Sequence, residues 1–204
     1  MTQKPWTIGM MSGTSMDGID VAAIKTDGTQ IFDSAPGITI PYTDDFRKKL
    51  RNLLGQKTRT PLLSFVEREL THLHALAFFA YLKDVGIPQD HVDLIGFHGH
   101  TILHHPPSRF KNPRTWQIGD GALLSQLTHT KVVYNMREND VKHGGEGAPL
   151  VPLYHRALAH ALEKPVAIIN IGGISNVTWI GPHDQLLAFD MGPGNRSEEH
   201  TSEL

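Results

Sequence analysis

Gly13, Thr14, Ser15, Asp17 and Gly18 stand together in IGMMSGTSMDGID, residues 8–20, and small residues return in IINIGGISNV, residues 168–177. Each stretch reads as a strand that enters a Gly/Ser bend and leaves as a second strand. Glycine has no Cβ, so such a bend admits another group close to its backbone and leaves N–H groups unpaired. Nests of that kind hold anions, phosphate oxygens above all. Gly13 aligns with Gly173 and Ser15 with Ser175, which suggests two half-molecules facing one nucleotide. Two ordinary β-hairpins with small residues at the bend would give the same pattern.

A second set of candidates lies in FHGHTILHH, which puts His98, His100, His104 and His105 at the end of a strand. Imidazoles two apart on a strand share a face and are common zinc ligands, so a metal-dependent hydrolase is one reading of the chain. No Asp or Glu stands beside the cluster to complete a ligand set. In FDMGPGN, Asp190 precedes Gly192, where a carboxylate can cap a turn.

The elements that must carry these residues follow from periodicity. Residues 6–11 and 19–26 are apolar strands, Asp27-Gly28 signals a type I′ hairpin, and residues 30–42 form a third strand broken by Pro36 and Gly37. Asp44 and Asp45 lead a helix with Phe46, Leu50, Leu53 and Leu54 on one side, closed by Gly55. Thr60 caps a longer helix with Pro61 at its first position and Gly86 at its end. Its apolar face reads Leu62, Val66, Leu70, Leu73, Ala77, Tyr81 and Val85, and His72 and His74 are placed at the solvated rim. The strand with the histidines follows, then a short strand at 115–119, a helix at 121–127, a buried-type strand at 131–136 and a helix at 150–162. That last helix sets Leu150, Leu153, Tyr154, Leu158 and Leu162 on one side. Three antiparallel strands followed by alternating helices and strands describe an α/β fold, a mixed sheet with helices packed on it. From residue 166 the strand–bend–strand opening is replayed, with a third strand at 185–189.

Residues 1–163 are therefore read as one complete domain and 164–195 as the opening of a second. About 30 residues cannot bury a core of their own, so the chain is expected to be a fragment. The polar ending RSEEHTSEL, residues 196–204, is expected to be a non-native tail, a sequencing artefact. Of the 204 residues 39% are hydrophobic, enough for a core, and the net charge of −2 carries no footprint for nucleic acid or an anionic membrane. The absence of cysteine rules out disulfides and thiolate metal sites and fits a reducing compartment. No apolar run reaches the roughly 18 residues of a membrane span, and the first residues leave no room for a signal peptide. A cytoplasmic protein is expected.

MMSGTSMDGID, FHGHTILHHP, QIGD, VVYNMRENDVKHGGEGAPLVP, INIGGISNV and FDMGPGN, in this order and spacing, resemble the anhydro-N-acetylmuramic acid kinase family of the sugar kinase, heat-shock and actin superfamily. The likeness runs from Thr7 to Asn195. It implies a ribonuclease H-like, actin-type ATPase domain with a mixed five-stranded sheet and flanking helices, followed by the opening β-hairpin of a duplicated domain. It also implies ATP-dependent phosphorylation of 1,6-anhydro-N-acetylmuramic acid with hydrolytic opening of the anhydro ring, giving N-acetylmuramic acid 6-phosphate in peptidoglycan recycling. A non-catalytic sugar sensor of the same fold is the alternative within the likeness.

The resemblance assigns roles to particular positions. Asp190 becomes the base that takes a proton from water as it attacks C1. Gly13, Thr14, Ser15, Met16, Asp17, Gly18, Ile19 and Asp20 form the ATP-binding hairpin, with Asp17 and Asp20 holding Mg²⁺ through water. Arg137, whose guanidinium suits a carboxylate bidentately, joins Asp140, His98 and His100 in the sugar cleft. A surface Arg137 paired with Glu138 or Asp140 is the plainer alternative. The expected partners are ATP and the small sugar, with a homodimer left open. Several positions depart from the family pattern. Asn135 and Met136 stand where Asp-Phe is usual, Glu146 stands for Gln, and His100 and His105 stand for Gln and Glu. The chain by itself is expected to be inactive, because the adenine-side wall of such folds comes from the second domain.

Overall fold

The computed structural model describes residues 5–171 and 174–194, and they fall into two compact units that divide between Gly145 and Glu146.

In the first unit β1 (Trp6–Ser12), β2 (Gly18–Thr26) and β3 (Ile31–Pro41) form an antiparallel meander. On the other side of β1 lies β4 (Val92–His105), parallel to it. The first half of β4 pairs in parallel with β6 (Lys131–Tyr134), and its second half pairs antiparallel with β5 (Arg114–Ile118). The six strands thus lie five abreast, because β5 and β6 share one edge of β4 at different heights. The five-stranded expectation counts that shared position once.

Side-chain alternation drives this sheet against its helices. Ile8 and Met10 of β1, Ile19 and Val21 of β2, and Ile95 and Phe97 of β4 are all buried. They meet Phe46 and Leu50 of α1 (Asp44–Arg51) and Leu63, Val66, Leu70, Phe78 and Tyr81 of α2 (Pro61–Val85). Each such side chain contributes about 1.5–3 kcal/mol on leaving water. The ends of α2 are set as the sequence implies: the Thr60 hydroxyl accepts the Leu63 N–H at 3.1 Å, Pro61 opens the first turn, and Gly86 takes the left-handed conformation at φ 69°. Two shorter helices, α3 (Gly121–Thr128) and α4 (Glu138–Lys142), flank β6 in sequence.

Four expectations are corrected in this unit. Asp27-Gly28 is not a two-residue type I′ turn. Thr26 pairs with Ile31, leaving four residues in the loop, and the Asp27 carboxylate accepts the N–H groups of Thr29 and Gln30. Leu62 is exposed rather than on the inner face of α2, where Leu63 takes its place. His74 is wholly buried, with Nδ1 against the Leu70 carbonyl at 2.8 Å and its ring edge-on to Phe97. The strand at 131–134 is no buried strand: Val133 and Tyr134 are exposed at the sheet edge.

The second unit holds α5 (Pro152–Leu158) and the antiparallel meander of β7 (Val166–Ile171), β8 (Ile174–Ile180) and β9 (Leu186–Pro193). Its topology repeats that of β1–β2–β3, as the sequence pattern implies. α5 lies in this second unit, where buried His155 sets its Nδ1 2.8 Å from the hydroxyl of buried Thr178 on β8. His155 is the inward residue of α5, whereas Leu150, Leu153, Tyr154, Leu158 and Leu162, the face assigned to packing, are all exposed. Gly172, Gly173 and the ending at 196–204 lie outside the described residues.

Candidate functional site

β1, β4 and β6 are parallel, so their C-terminal ends open on one edge of the sheet. Ligands of open α/β sheets bind outside such ends. Each of the three strands delivers a candidate there: β1 runs into the Gly13–Asp17 bend, β4 carries His98, and β6 runs into Asn135 and Arg137. At about 4.8 Å between neighbouring strands, the bend and the end of β6 stand roughly 10 Å apart across the sheet.

The bend is a tight turn closed by the Met16 N–H donating to the Gly13 carbonyl at 3.0 Å. Met16 sits in the left-handed region at φ 54° and buries its side chain, as does Ile19. Those two expected ATP-site residues therefore face the core and can offer a ligand only their backbone. Thr14, Ser15 and Asp17 are exposed, and Gly13 is half-buried. Among the described residues the amides of Thr14 and Ser15 have no protein acceptor. Gly18 anchors the far side of the turn. A Cβ there would stand 2.3 Å from the Ile40 carbonyl oxygen, so only glycine lets β2 approach β3 at this point.

Two carboxylates border the bend. Asp17 accepts the Ser15 hydroxyl at 2.6 Å, and Asp20 accepts the Thr39 hydroxyl at 2.6 Å. Both charges act on the buried Tyr42 hydroxyl. Burial chiefly raises its pKa well above the ordinary value, the Ser12 hydroxyl opposes this, and Asp20 and Asp17 add to it. Mg²⁺ is held through waters, phosphates and one or two carboxylates, a requirement that Asp17 and Asp20 meet.

The histidines part company at a β-bulge. Met10 pairs with Phe97 but Met11 pairs with Gly99, so His98 is an extra residue in β4. Gly99 takes φ 71° there, and a Cβ on it would reach within 2.3 Å of the Ile118 carbonyl oxygen. The bulge resets the alternation, so that His100 keeps the inner face of Phe97 and His98 falls on the opposite one. The expectation that His98 and His100 share a face is thereby corrected. His100 is wholly buried and bonded through Nδ1 to the Ser12 hydroxyl at 2.9 Å, beneath the bend and away from the cleft. His104 pairs with the Thr115 hydroxyl and His105 stacks on Phe110. Among the described residues no group of three or more His, Asp or Glu is placed to hold a metal.

His98 instead lines a cleft of about 480 Å³ together with Arg59, Glu67, Trp116, Gln117 and Asn135, a volume in the usual range for small-molecule sites. Arg137 donates its Nε–H to His98 Nε2 at 2.9 Å. Asp140 lies further along α4, its carboxylate packed against Gly145, whose N–H donates to the Asp140 carbonyl at 2.9 Å. Burial, helped by the Arg137 charge, pushes His98 down to about 4, and burial does the same to His74 and His100. Three of the cleft residues carry no strong signal in the sequence. Arg59 and Glu67 form an ion pair at 2.5 Å, and Trp116 lies beneath Arg59 and Arg114. Gln117, in QIGD, joins His98 and Asn135 as cleft residues in stretches that the sequence singles out.

In the second unit Asp190 sits on β9 opposite Asn176, immediately before a bulge. Asp190 is exposed, and among the described residues its carboxylate has no hydrogen-bond or ion-pair partner. It therefore caps no turn here.

An exposed Gly/Ser bend after β1, a polar cleft at the same edge of a mixed sheet five abreast, and a second meander repeating the first define the actin-type, ribonuclease H-like class. The family profile for anhydro-N-acetylmuramic acid kinase matches residues 5–199. The chain belongs to that family. It is 52% identical over 188 residues to the anhydro-N-acetylmuramic acid kinase of Paramagnetospirillum magneticum, covering 92% of this chain and 51% of that protein. The Rhizobium johnstonii protein of the same name is 48% identical, covering 92% and 52%, and that of Brucella canis 45% identical, covering 97% and 55%. The chain thus spans about half the length of the curated relatives it matches. Among the described residues no helix is long and apolar enough to cross a membrane.

Proposed function

We propose that this chain is the N-terminal part of a kinase that uses ATP to phosphorylate 1,6-anhydro-N-acetylmuramic acid while water opens its anhydro bridge. The observation that carries the reading is the shared sheet edge: the exposed Thr14–Ser15 turn and the cleft beside His98 open at the ends of neighbouring parallel strands. A phosphoryl donor and a sugar acceptor placed there are within reach of each other. Phosphoryl transfer depends mainly on positioning and charge neutralisation, which suits a bend of amides and hydroxyls. Mg²⁺ on Asp17 and Asp20 would supply positive charge against the phosphates.

Asp190 supplies the base. An unpaired carboxylate is free to take a proton from water. The water oxygen bonds to C1, the C1–O6 bond breaks, and O6 bonds to the γ-phosphorus as the bond to the departing ADP breaks. The water proton ends on Asp190. An inverting glycosidase needs a second carboxyl group to protonate the leaving oxygen; here the phosphoryl group captures that oxygen instead. Arg137, held by His98, receives the lactyl carboxylate.

The test is ATP consumption by the full-length protein with the anhydro-muramic sugar against glucosamine analogues, with the product identified by mass. Stoichiometric ADP and a 6-phosphorylated, ring-opened muramic acid are expected. ATP turnover indifferent to the sugar, or a phosphorylated product with its anhydro ring intact, would overturn the reading.

A further inference from the structure

Tyr42 is tied to the outgoing arm of the bend after β1 and faces the incoming one. It stands one residue past the end of β3, where Pro41 pairs with Gly18, and its N–H donates to the Asp17 carbonyl at 3.0 Å. On its other side Thr43 caps α1, accepting the Phe46 N–H at 3.3 Å. The Tyr42 ring packs on Phe46 with centroids 4.9 Å apart. Backbone pairing, cap and ring contact leave the side chain little freedom. Tyr42 is only 7% exposed, yet its hydroxyl has no hydrogen-bond partner among the described residues. A polar group so deeply buried normally has one.

The side chains that act on this hydroxyl are Ser12, where the incoming arm leaves β1, and Asp20 and Asp17. The two carboxylates already accept hydroxyls, from Thr39 and Ser15 at 2.6 Å each, and they act on Tyr42 by charge. Ser12 is different. Its Oγ lies 2.9 Å from His100 Nδ1, one contact for a group with one proton and two lone pairs. The hydroxyls of Ser12 and Tyr42 therefore stand close, each with capacity to spare and no hydrogen bond between them. We infer, on the nucleotide reading of the bend proposed above, that Tyr42 is a positioning residue for that bend: it holds Asp17 through its N–H and closes on Ser12 through its hydroxyl when phosphate occupies the Thr14 and Ser15 amides. Both arms are then fixed to one rigid residue, and preorganisation of this kind reduces the freedom lost on binding. The hydroxyl contributes to the bound state alone, because in the free protein it bonds to none of the described residues.

Tyr42→Phe keeps the ring on Phe46 and the N–H on Asp17 and removes only the hydroxyl. In the full-length protein, calorimetric titration with magnesium ADP should show a dissociation constant raised about fivefold, the worth of one neutral hydrogen bond. KM for the anhydro sugar should stay within about twofold, and the melting midpoint without nucleotide should not fall. In a Ser12→Ala background the same change should alter the ADP constant by less than about twofold, because its partner is already gone. A Tyr42→Phe variant that binds ADP like the parent would overturn the inference, and a lowered melting midpoint beside that result would make Tyr42 a packing residue only. A loss of affinity undiminished in the Ser12→Ala background would overturn it too. A parent protein that binds no ADP would instead remove the nucleotide reading itself, and the role of Tyr42 with it.

Discussion

The Arg137 Nε–H points at Nε2 of His98 across 2.9 Å, and this contact settles the state of both side chains. An arginine Nε can only donate, so His98 Nε2 must carry its lone pair and Nδ1 its proton, directed at the Gly99 carbonyl 3.1 Å away. A neutral imidazole with a pKa near 4 keeps this arrangement throughout the physiological range. Within the proposed function, His98 positions the Arg137 cation.

Removing that support should weaken sugar binding selectively. His98→Ala in the full-length protein is expected to raise KM for the sugar about tenfold, the worth of one hydrogen bond to a charged group, while KM for ATP stays within about twofold. Glutamine, whose side-chain oxygen can accept from Arg137, should restore most of the loss. Steady-state kinetics on both substrates check this; equal effects on the two KM values would count against it.

Three histidines with lowered pKa values should make the first unit sensitive to acid. His74, His98 and His100 are each depressed from 6.5 to about 4 in the folded protein. Between those values the unfolded chain binds more protons than the folded one, so stability increases with pH across the window. Their contribution is complete above about pH 6.5 and is lost as pH falls toward 4. Thermal melts from pH 7 to pH 4 should show a steadily falling midpoint. Replacing His74 by Leu should flatten that slope by up to one proton.

Ser12 and His100 form a polar pair sealed under the bend. Ser12→Ala removes the partner of His100 Nδ1, and His100 Nε2 has none among the described residues. A buried ring left without partners should cost about 1–3 kcal/mol, several degrees in the melting midpoint. Adding His100→Leu to Ser12→Ala should recover part of the loss, because both polar groups then leave the core together. A double variant less stable than Ser12→Ala alone would argue against the pairing.

Local chemistry made much of the fold legible from sequence. Thr60, Pro61 and Gly86 each have a single strong backbone preference, and together they bound α2 as expected. The meander and its replay could be read because alternation and small-residue bends are short-range signals. His100 leaves the expected cleft for a physical reason: the inserted His98 resets a period of two, and nothing beside Gly99 announces it. His74 and Leu62 were exchanged across α2 because that helix is apolar on both sides, so periodicity could not choose its inner face. For α5, a buried His155 paired with Thr178 outweighed a stripe of leucines. Arg59, Glu67 and Trp116 converge on the cleft from α2, the loop before it and β5, a tertiary meeting that no spacing encodes.

Asp190→Asn in the full-length protein, with ATP binding measured by calorimetry beside ADP release in the presence of the anhydro sugar, bears most directly on the chemistry. Loss of a general base predicts a fall of about 10²–10⁴ in turnover, with the ATP dissociation constant held within about threefold. A variant that keeps turnover within about tenfold of the parent would contradict the role of Asp190 and the ring-opening step built on it.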